Sequence, residues 1–315
     1  MNTKDLNERI TGEVIRAMEK GVIPWHKPWI CTGANVPDPR VLPVSYSTGR
    51  CYSLLNQWLI MFSGHGAGEY ATFNQIRQLG GTVKKGEHGA TVFFFKMGNP
   101  VPVKDENGKT AIDENGNIIT YTPRYAWLYK VFNVYTQCEG IAPKWLKRAE
   151  DAERESQGKT PDPIEAAQRL MDDYLTRESV ALTHGGNQAF YNGGNDSITL
   201  PHKFAFDDMP HYYKTAYHEI GHSTGAKKRL NRKMGGRFGS QEYGREELVA
   251  EMTSAFLCGV AGIPIMIDDT AAYLKSWLKT IREDADAIPY AARQAAKALD
   301  FITGAKANAD EENAA

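Results

Sequence analysis

Apolar residues in the first third of the chain follow the spacings of both helices and strands. Residues 6–18 and 51–62 carry apolar side chains at helical intervals, which predicts two helices. Thr72 is suited to cap a third, short helix that the glycine pair at 80–81 would end. Residues 90–96, with three consecutive phenylalanines, predict a strand. This mixture of elements indicates a mixed α/β organisation for the N-terminal part.

A repeated turn sequence lies farther along the N-terminal part. Asp-Glu-Asn-Gly occurs at residues 105–108 and again at 113–116. Asn-Gly favours the type I′ turns of tight hairpins. A β-rich run at residues 125–133 predicts the strand that returns from this extension. We therefore expect a protruding β-hairpin as an extension of the N-terminal domain.

The pattern changes after residue 147, where charged and turn-forming residues become frequent. Helical spacing dominates afterwards, over residues 163–176, 212–224, 246–260 and 269–301. These changes predict an α+β fold with a mixed α/β N-terminal domain and a mainly helical C-terminal domain. The predicted divisions are a domain at 1–145, a linker at 146–163, a domain at 164–303 and a disordered acidic tail at 304–315.

The distribution of charge is uneven along the chain. With 37 basic and 38 acidic residues in total, the protein is not a uniformly basic nucleic-acid binder. Residues 1–145 hold 16 of the basic and 12 of the acidic residues, a net charge of +4, whereas the remainder holds 21 and 26, a net charge of −5. This asymmetry suggests different roles for the two parts.

Cysteine usage and hydropathy indicate the compartment. Cys31, Cys51, Cys138 and Cys258 include no Cys-x-x-Cys pair, so we expect free thiols in a reducing environment. No apolar run approaches the roughly 18–20 residues that span a membrane. The polar N-terminal sequence is unlike a signal peptide. We expect a cytoplasmic protein without a membrane partner.

His218, Glu219 and His222 form a His-Glu-x-x-His motif within a segment of helical pattern. Residues i and i+4 of a helix share a face, so the two imidazoles can bind one Zn²⁺. Glu219 can then act as the general base toward the attacking water. The alternative is a surface helix with two incidental histidines. The helical pattern that precedes the motif, and Gly221, which allows close packing, favour the zinc site.

A third ligand is expected from the later helical segment. Glu247 and Glu251 are four residues apart and share one helix face, whereas Glu246 should point elsewhere. One of the pair can bind the metal while the other hydrogen-bonds a ligand imidazole. Their spacing resembles the third-ligand helix of thermolysin-like zincins, in which the earlier acid binds the metal. Glu247 is therefore favoured and Glu251 is the alternative.

The sequence also bears on an oxyanion donor and on a nucleotide site. Hydrolysis requires a donor for the developing oxyanion. The candidates nearest to these motifs are Tyr243, Tyr191, Arg245 and His184. Gly-Lys-Thr occurs at 108–110 and 158–160 without the upstream glycine of a phosphate loop, so we expect no nucleotide cofactor.

Aromatic and basic residues are interleaved in the N-terminal part. Flat rings can stack on unpaired bases while Lys and Arg follow the phosphates, which suggests binding of single-stranded DNA. The alternative is that these residues belong to an ordinary core and surface. The candidate DNA contacts are Trp25, Lys27, Trp29, Arg50, Tyr52, Lys84, Lys85, Phe93 and Phe95.

The ordered short motifs resemble the ArdC antirestriction proteins of conjugative plasmids, which are related to the N-terminal region of TraC-type plasmid primases. The resemblance covers nearly the whole chain. It rests on residues 25–29, 43, 48–52, 56, 72–75, 83–89, 131–133, 189–191, 196–198, 200–201, 218–225, 229–230 and 243–251. The resemblance implies an N-terminal single-stranded-DNA-binding domain, a C-terminal zincin-like metallopeptidase domain and protection of incoming DNA from host restriction.

Three functional hypotheses follow. The first is a DNA-guided zinc peptidase that acts on proteins of the restriction system. The second is a non-enzymatic protein that coats single-stranded DNA and holds a structural zinc. The third is a metallopeptidase regulator that cleaves a transcription factor. Glu219 favours an enzyme, because a structural zinc site does not need a base beside its ligand.

Overall fold

The computed structural model describes residues 3–21, 23, 39, 42–104, 108–113, 116–122, 124–155, 162–234, 236, 240–263 and 270–304. The helices in these ranges are α1 (Thr3–Glu19), α2 (Leu54–Phe62), α3 (Phe73–Gln78), α4 (Leu146–Glu155), α5 (Pro163–Glu178), α6 (Met209–Ser223), α7 (Gln241–Ala261), α8 (Thr270–Glu283) and α9 (Ala287–Thr303). The strands are β1 (Pro43–Ser45), β2 (Gly68–Thr72), β3 (Thr82–Val83), β4 (Ala90–Met97), β5 (Val101–Pro102), β6 (Thr120–Tyr121), β7 (Arg124–Asn133), β8 (Cys138–Glu139), β9 (Ala181–His184), β10 (Phe190–Asn192) and β11 (Ser197–Leu200). The predicted α+β class is confirmed.

The N-terminal sheet has the strand order β1-β2-β7-β4, with β1 and β2 parallel and the other pairs antiparallel. The long β4–β7 pair runs from Ala90 opposite Val131 to Met97 opposite Arg124. Beyond it, β5 pairs with β6, and an isolated bridge joins Ile112 to Ile118. The predicted β-hairpin extension is therefore present in the described residues.

Local sequence signals explain several helix boundaries. Thr72 caps α3 as predicted, because its hydroxyl accepts from the Gln75 amide at 3.3 Å while the Gln75 side chain accepts from the Thr72 amide at 2.8 Å. The helical pattern predicted over 269–301 is present, but it forms two helices, α8 and α9. It is divided at residues 284–286, where the Asp284 side chain accepts from the Asp286 amide at 3.1 Å.

The C-terminal part also contains a three-stranded sheet of order β10-β11-β9. The sequence did not predict these strands, because each has only three or four residues and much of their surface is exposed. In β11, only Ile198 and Leu200 are buried. The sheet packs on α6 through β10 and β11 and so supports the helix that carries the His-Glu-x-x-His motif.

One hydrophobic core crosses the predicted domain boundary. Ile10, Val14 and Met18 of α1 belong to the same buried cluster as Leu248 of α7 and Ile288 of α9. Two hydrogen bonds at 2.7 Å reinforce this contact, from the Asn7 side chain to Asp286 and from the Thr11 hydroxyl to the Ala285 carbonyl. The division into domains at 1–145 and 164–303 stays a prediction, and the packing of α1 links the two parts.

The predicted linker at 146–163 begins with α4. The buried side chain of Glu69, in β2, accepts hydrogen bonds of 2.8–3.1 Å from the backbone amides of Lys144, Trp145 and Leu146. It also accepts one from the Tyr135 hydroxyl at 2.8 Å. The carboxylate thereby occupies the N-terminus of α4 and fixes this segment to the N-terminal sheet.

The prediction of four free thiols is wrong at Cys51, which is disulfide-bonded. Wide spacing in the sequence does not prevent two cysteines from meeting in the fold. Cys138 and Cys258 are free and buried. Among the helices of the described residues, none has both the length and the apolar character needed to cross a bilayer.

Candidate metal centre

Helix α6 carries both histidines of the motif on one face. Asp208 caps the helix by accepting from the His211 amide at 2.9 Å. The opposite face is buried in the C-terminal core and includes Tyr213, which is 1% exposed. The histidines lie four residues apart on the remaining face, and their Nε2 atoms are 3.1 Å apart.

Helix α7 brings Glu247 to the two imidazoles. One carboxylate oxygen lies 3.5 Å from His218 Nε2 and the other lies 3.5 Å from His222 Nε2. The donor atoms of the three residues lie within 4.8 Å of one another. Two imidazoles and one carboxylate are the ligand set of many catalytic zinc sites, so these side chains fit a divalent metal.

The close approach of α6 and α7 depends on Gly221. A Cβ atom at this position would lie 3.1 Å from Ala250 Cα and 3.2 Å from the Ala250 carbonyl oxygen. A larger residue would separate the helix that carries the histidines from the helix that carries Glu247. The glycine inside the motif is therefore explained by packing.

Two more glutamates hold the imidazoles from behind. Glu251 lies 3.4 Å from His218 Nδ1, and Glu246 lies 3.3 Å from His222 Nδ1. The expectation that Glu246 points elsewhere is wrong. Glu247 lies between the two imidazoles. Glu246, which precedes it in α7, therefore reaches His222, and Glu251, one turn later, reaches His218. Such contacts orient the rings for binding through Nε2.

Arg232, in the loop after α6, holds Glu246 in place. Its guanidinium donates to both oxygens of Glu246, at 2.6 and 2.9 Å. It also donates to the Thr224 hydroxyl at 2.7 Å and to the Gly221 carbonyl at 2.8 Å. The side chain is 1% exposed. Sequence reasoning missed Arg232, because a loop residue has no periodicity that would place it beside a helix.

The carboxylates dominate the electrostatics of the site. Burial alone would lower the pKa of His218, but its contacts with Glu247 and Glu251 raise that pKa to about 10. Burial opposes ionisation of Glu246, yet its bonds to Arg232 and His222 lower its pKa overall. Three carboxylates thus surround two imidazoles, and a bound cation would compensate this excess of negative charge.

The remaining catalytic candidates lie in different surroundings. Glu219 is buried next to His218. The Tyr243 hydroxyl hydrogen-bonds Glu247 and helps to lower the pKa of that carboxyl, whose burial acts in the opposite direction. The Tyr191 hydroxyl instead donates to Asp196 at 2.7 Å. Arg245 pairs with Asp284, and His184 bonds the Tyr212 hydroxyl. Of the four oxyanion candidates, the described contacts bring Tyr243 to the metal group.

The candidate DNA contacts are only partly accessible. Tyr52 and Phe93 are core residues, 8% and 3% exposed, so the prediction that bases stack on them is wrong. Arg50 and Lys85 are exposed, while Lys84 is half-buried and donates to the Thr136 carbonyl at 2.8 Å. Trp25, Lys27, Trp29 and the side chain of Phe95 lie outside the described residues.

The exposed aromatic residues that sequence reasoning missed include Tyr121 and Trp127. Tyr121 is 56% exposed and Trp127 is 42% exposed. Tyr121 lies in the predicted hairpin, and Trp127 lies in the strand that returns from it. Their solvent exposure could not be deduced from the sequence, because alternation assigns faces only when the buried face is known.

The two acids predicted as alternatives should differ in their effect on metal binding. Glu251→Ala is expected to raise the metal dissociation constant about 10–100-fold, because it removes an orienting contact. Glu247→Ala should raise it further, because it removes a donor atom. Competition against a chromophoric chelator measures both constants. The reverse order would show that Glu251 is the ligand.

Two family models match separate parts of the chain. Residues 4–132 match the N-terminal domain of anti-restriction factor ArdC. Residues 169–294 match a zincin-like metallopeptidase domain. The second match contains the three candidate metal ligands, His218, His222 and Glu247.

Proteins of similar sequence include a DNA primase. DNA primase TraC of Escherichia coli is 33% identical over 306 residues, which are 95% of this chain but 27% of that protein. The chain therefore spans about a quarter of the length of that relative. The uncharacterized protein y4eC of Sinorhizobium fredii is 32% identical over 307 residues, 97% of this chain and 94% of that protein.

Solved structures agree with these matches. The metal-free crystal structure of antirestriction ArdC protein from the R388 plasmid has a TM-score of 0.66 and 29% identity, and the match covers 95% of this chain and 96% of that one. Its Mn(II)-bound structure has a TM-score of 0.64 and 28% identity, covering 96% and 98%. The chain therefore belongs to the ArdC-type antirestriction family, and it carries that family's zincin-like metallopeptidase domain.

Proposed function

We propose that this protein is a cytoplasmic antirestriction factor that binds single-stranded DNA and hydrolyses peptide bonds in a protein of the host restriction system. The observation that carries the enzymatic part is the convergence of His218, His222 and Glu247, whose donor atoms lie within 4.8 Å of one another. The buried Glu219 beside them supplies the general base that a purely structural metal site does not need.

The residues of the site have distinct roles in this proposal. His218, His222 and Glu247 hold a divalent metal, which when bound polarises a scissile carbonyl. Glu219 accepts a proton from the attacking water and passes it to the leaving amine. Tyr243 is held near the site by its bond to Glu247, and it transfers its single hydroxyl hydrogen bond from that carboxylate to the developing oxyanion.

Zinc is the proposed metal. Two imidazole nitrogens and one carboxylate oxygen match the ligands that Zn²⁺ takes in catalytic sites and leave a coordination position open. The same donor set also accepts other divalent ions of the first transition row. The relative ArdC from R388 has a Mn(II)-bound crystal structure, so metal identity is best measured on protein purified without added metal.

The proposed DNA-binding part rests on the N-terminal region. This region matches the N-terminal domain of an anti-restriction factor, and the whole chain resembles part of a DNA primase. Residues 1–145 have a net charge of +4, although the whole chain has a net charge of −1, and they carry exposed rings at Tyr121 and Trp127. Unpaired bases can stack on exposed rings, whereas a duplex would first have to open.

Plasmid transfer tests the proposed function. An unmethylated plasmid is conjugated into recipients that contain a restriction system, with or without this protein. We expect more transconjugants with the protein and no difference in recipients that lack the restriction system. Equal numbers in the restricting recipients, despite soluble expression, would contradict the proposal. Protection by Glu219→Gln without any proteolysis by the wild type would favour the non-enzymatic coating protein.

A further inference from the structure

The turn after β1 and the start of α4 form one continuous surface. A Cβ atom at Gly49 would lie 2.7 Å from the Trp145 ring, so the turn packs directly on the indole. The indole Nε1 donates to the Tyr46 carbonyl at 2.8 Å. Tyr46, Lys144, Trp145 and Arg148, together with Arg50, which follows Gly49 in the turn, define what we call the Trp145 surface.

Positive charge is concentrated on this surface. The Lys144 ammonium lies 4.8 Å from the centre of the Trp145 ring, and the Arg148 guanidinium lies 5.7 Å from it. Lys144 also lies 5.9 Å from the centre of the Tyr46 ring. Arg50, Lys144 and Arg148 are all exposed, and no carboxylate in the described part of the chain forms an ion pair with them.

The nearest buried acid, Glu69, forms no ion pair with these cations. Glu69 is fully buried and its oxygens are already bonded to three backbone amides and to the Tyr135 hydroxyl. Because the carboxylate satisfies the amides at the start of α4 from the inside, it leaves the outer side to the cationic side chains. The ammonium and guanidinium groups of the Trp145 surface are therefore free of ion pairs with described carboxylates and available to a ligand in solution.

We propose that the Trp145 surface binds the backbone of single-stranded DNA, with Arg50, Lys144 and Arg148 at the phosphates. This inference rests on the proposed DNA-binding function and gives it a location. Exposed cations beside flat rings are the combination that single-strand-binding proteins use, because the cations follow the phosphates while the rings contact the bases. The surface includes residues of the predicted linker, so DNA contacts extend beyond the predicted N-terminal domain.

Fluorescence anisotropy of a labelled oligo(dT) tests the proposal with the full-length chain over a salt series. The variant Lys144→Gln/Arg148→Gln removes two charges from the surface. The control Lys279→Gln/Lys297→Gln removes two exposed charges from α8 and α9. For single strands, each phosphate contact makes the fall of log K with log salt steeper by about 0.7. The slope of the Lys144→Gln/Arg148→Gln variant should therefore be shallower by about 1.4. At 0.1 M salt this corresponds to roughly 20-fold weaker binding.

A second variant, Arg50→Gln, tests the contribution of the turn after β1. It should make the slope of log K against log salt shallower by about 0.7. Because Arg50 is far in sequence from α4, this result would show that both segments contact the same strand. Thermal unfolding checks that each variant is folded, which is expected because all of the altered side chains are exposed.

The outcomes separate this inference from the proposed function. If the wild type binds oligo(dT) and the surface variants match the control in affinity and slope, the protein binds DNA but not through the Trp145 surface. If the wild type does not bind oligo(dT), both are wrong. If polyglutamate of equal charge displaces the DNA as effectively as unlabelled oligo(dT), the surface accepts any polyanion and the assignment to DNA is wrong.

Discussion

Glu219→Gln is expected to retain the bound metal and the fold and to lose proteolysis by about 10²–10⁴-fold. The amide has nearly the shape of the carboxylate, so the buried side chain still fits beside His218, but it cannot accept the proton of the attacking water. The measurement compares new protein N-termini in host cells that express the wild type or the variant, together with the metal content of both purified proteins.

The matched control for this comparison is Glu242→Gln, an exposed glutamate in the first turn of α7 that makes the same chemical change away from the metal group. Cleavage by the control should equal that of the wild type. Equal cleavage by Glu219→Gln and the wild type would show that Glu219 is not the base. Loss of metal from Glu219→Gln would show that the residue has a structural role.

Arg232→Met is expected to destabilise the folded protein by about 3–5 kcal/mol, because it leaves the buried carboxylate of Glu246 without its partner. It should also raise the metal dissociation constant about 10–100-fold, because Glu246 would no longer be fixed behind His222. Chemical unfolding measures the first effect, and chelator competition below the unfolding transition measures the second.

Arg229→Met is the matched control for Arg232→Met. The Arg229 side chain is also buried and pairs with Asp196 and Glu178, so its loss should destabilise the protein. It does not contact Glu246, so the metal dissociation constant should change much less. The double variant Arg232→Met/Glu246→Met should recover stability without recovering metal affinity. Equal metal affinities of the two arginine variants would contradict the orienting role.

Helical periodicity predicted the motif helix well but could not position every acid of α7. Residues i and i+4 share a face whatever the neighbouring helix is, which is why the relation between His218 and His222 is readable from sequence. The role of Glu246 depends on how α7 crosses α6, and that crossing depends on the contact of Gly221 with Ala250. Packing of this kind is not encoded in the spacing of one segment.

The residues of the N-terminal part show a different limit of sequence reasoning. Tyr52 and Phe93 looked like stacking residues because aromatic side chains serve equally in cores and in DNA-binding surfaces. Burial distinguishes the two roles, and burial depends on the partners across the sheet. Trp145 was missed because its neighbourhood has the composition of a linker, while Gly49, which packs on its ring, is almost 100 residues earlier.

The contact of α1 with α8 and α9 determines when the protein can complete its fold during synthesis. Asn7 and Thr11 bond to residues that follow them by 279 and 274 positions. At roughly 5–20 residues per second, the ribosome adds those later residues about 15–55 s after it has made α1. During that interval the apolar face of α1 is exposed to water or bound by a chaperone. Slow translation or a premature stop before α9 should therefore favour aggregation of the nascent chain.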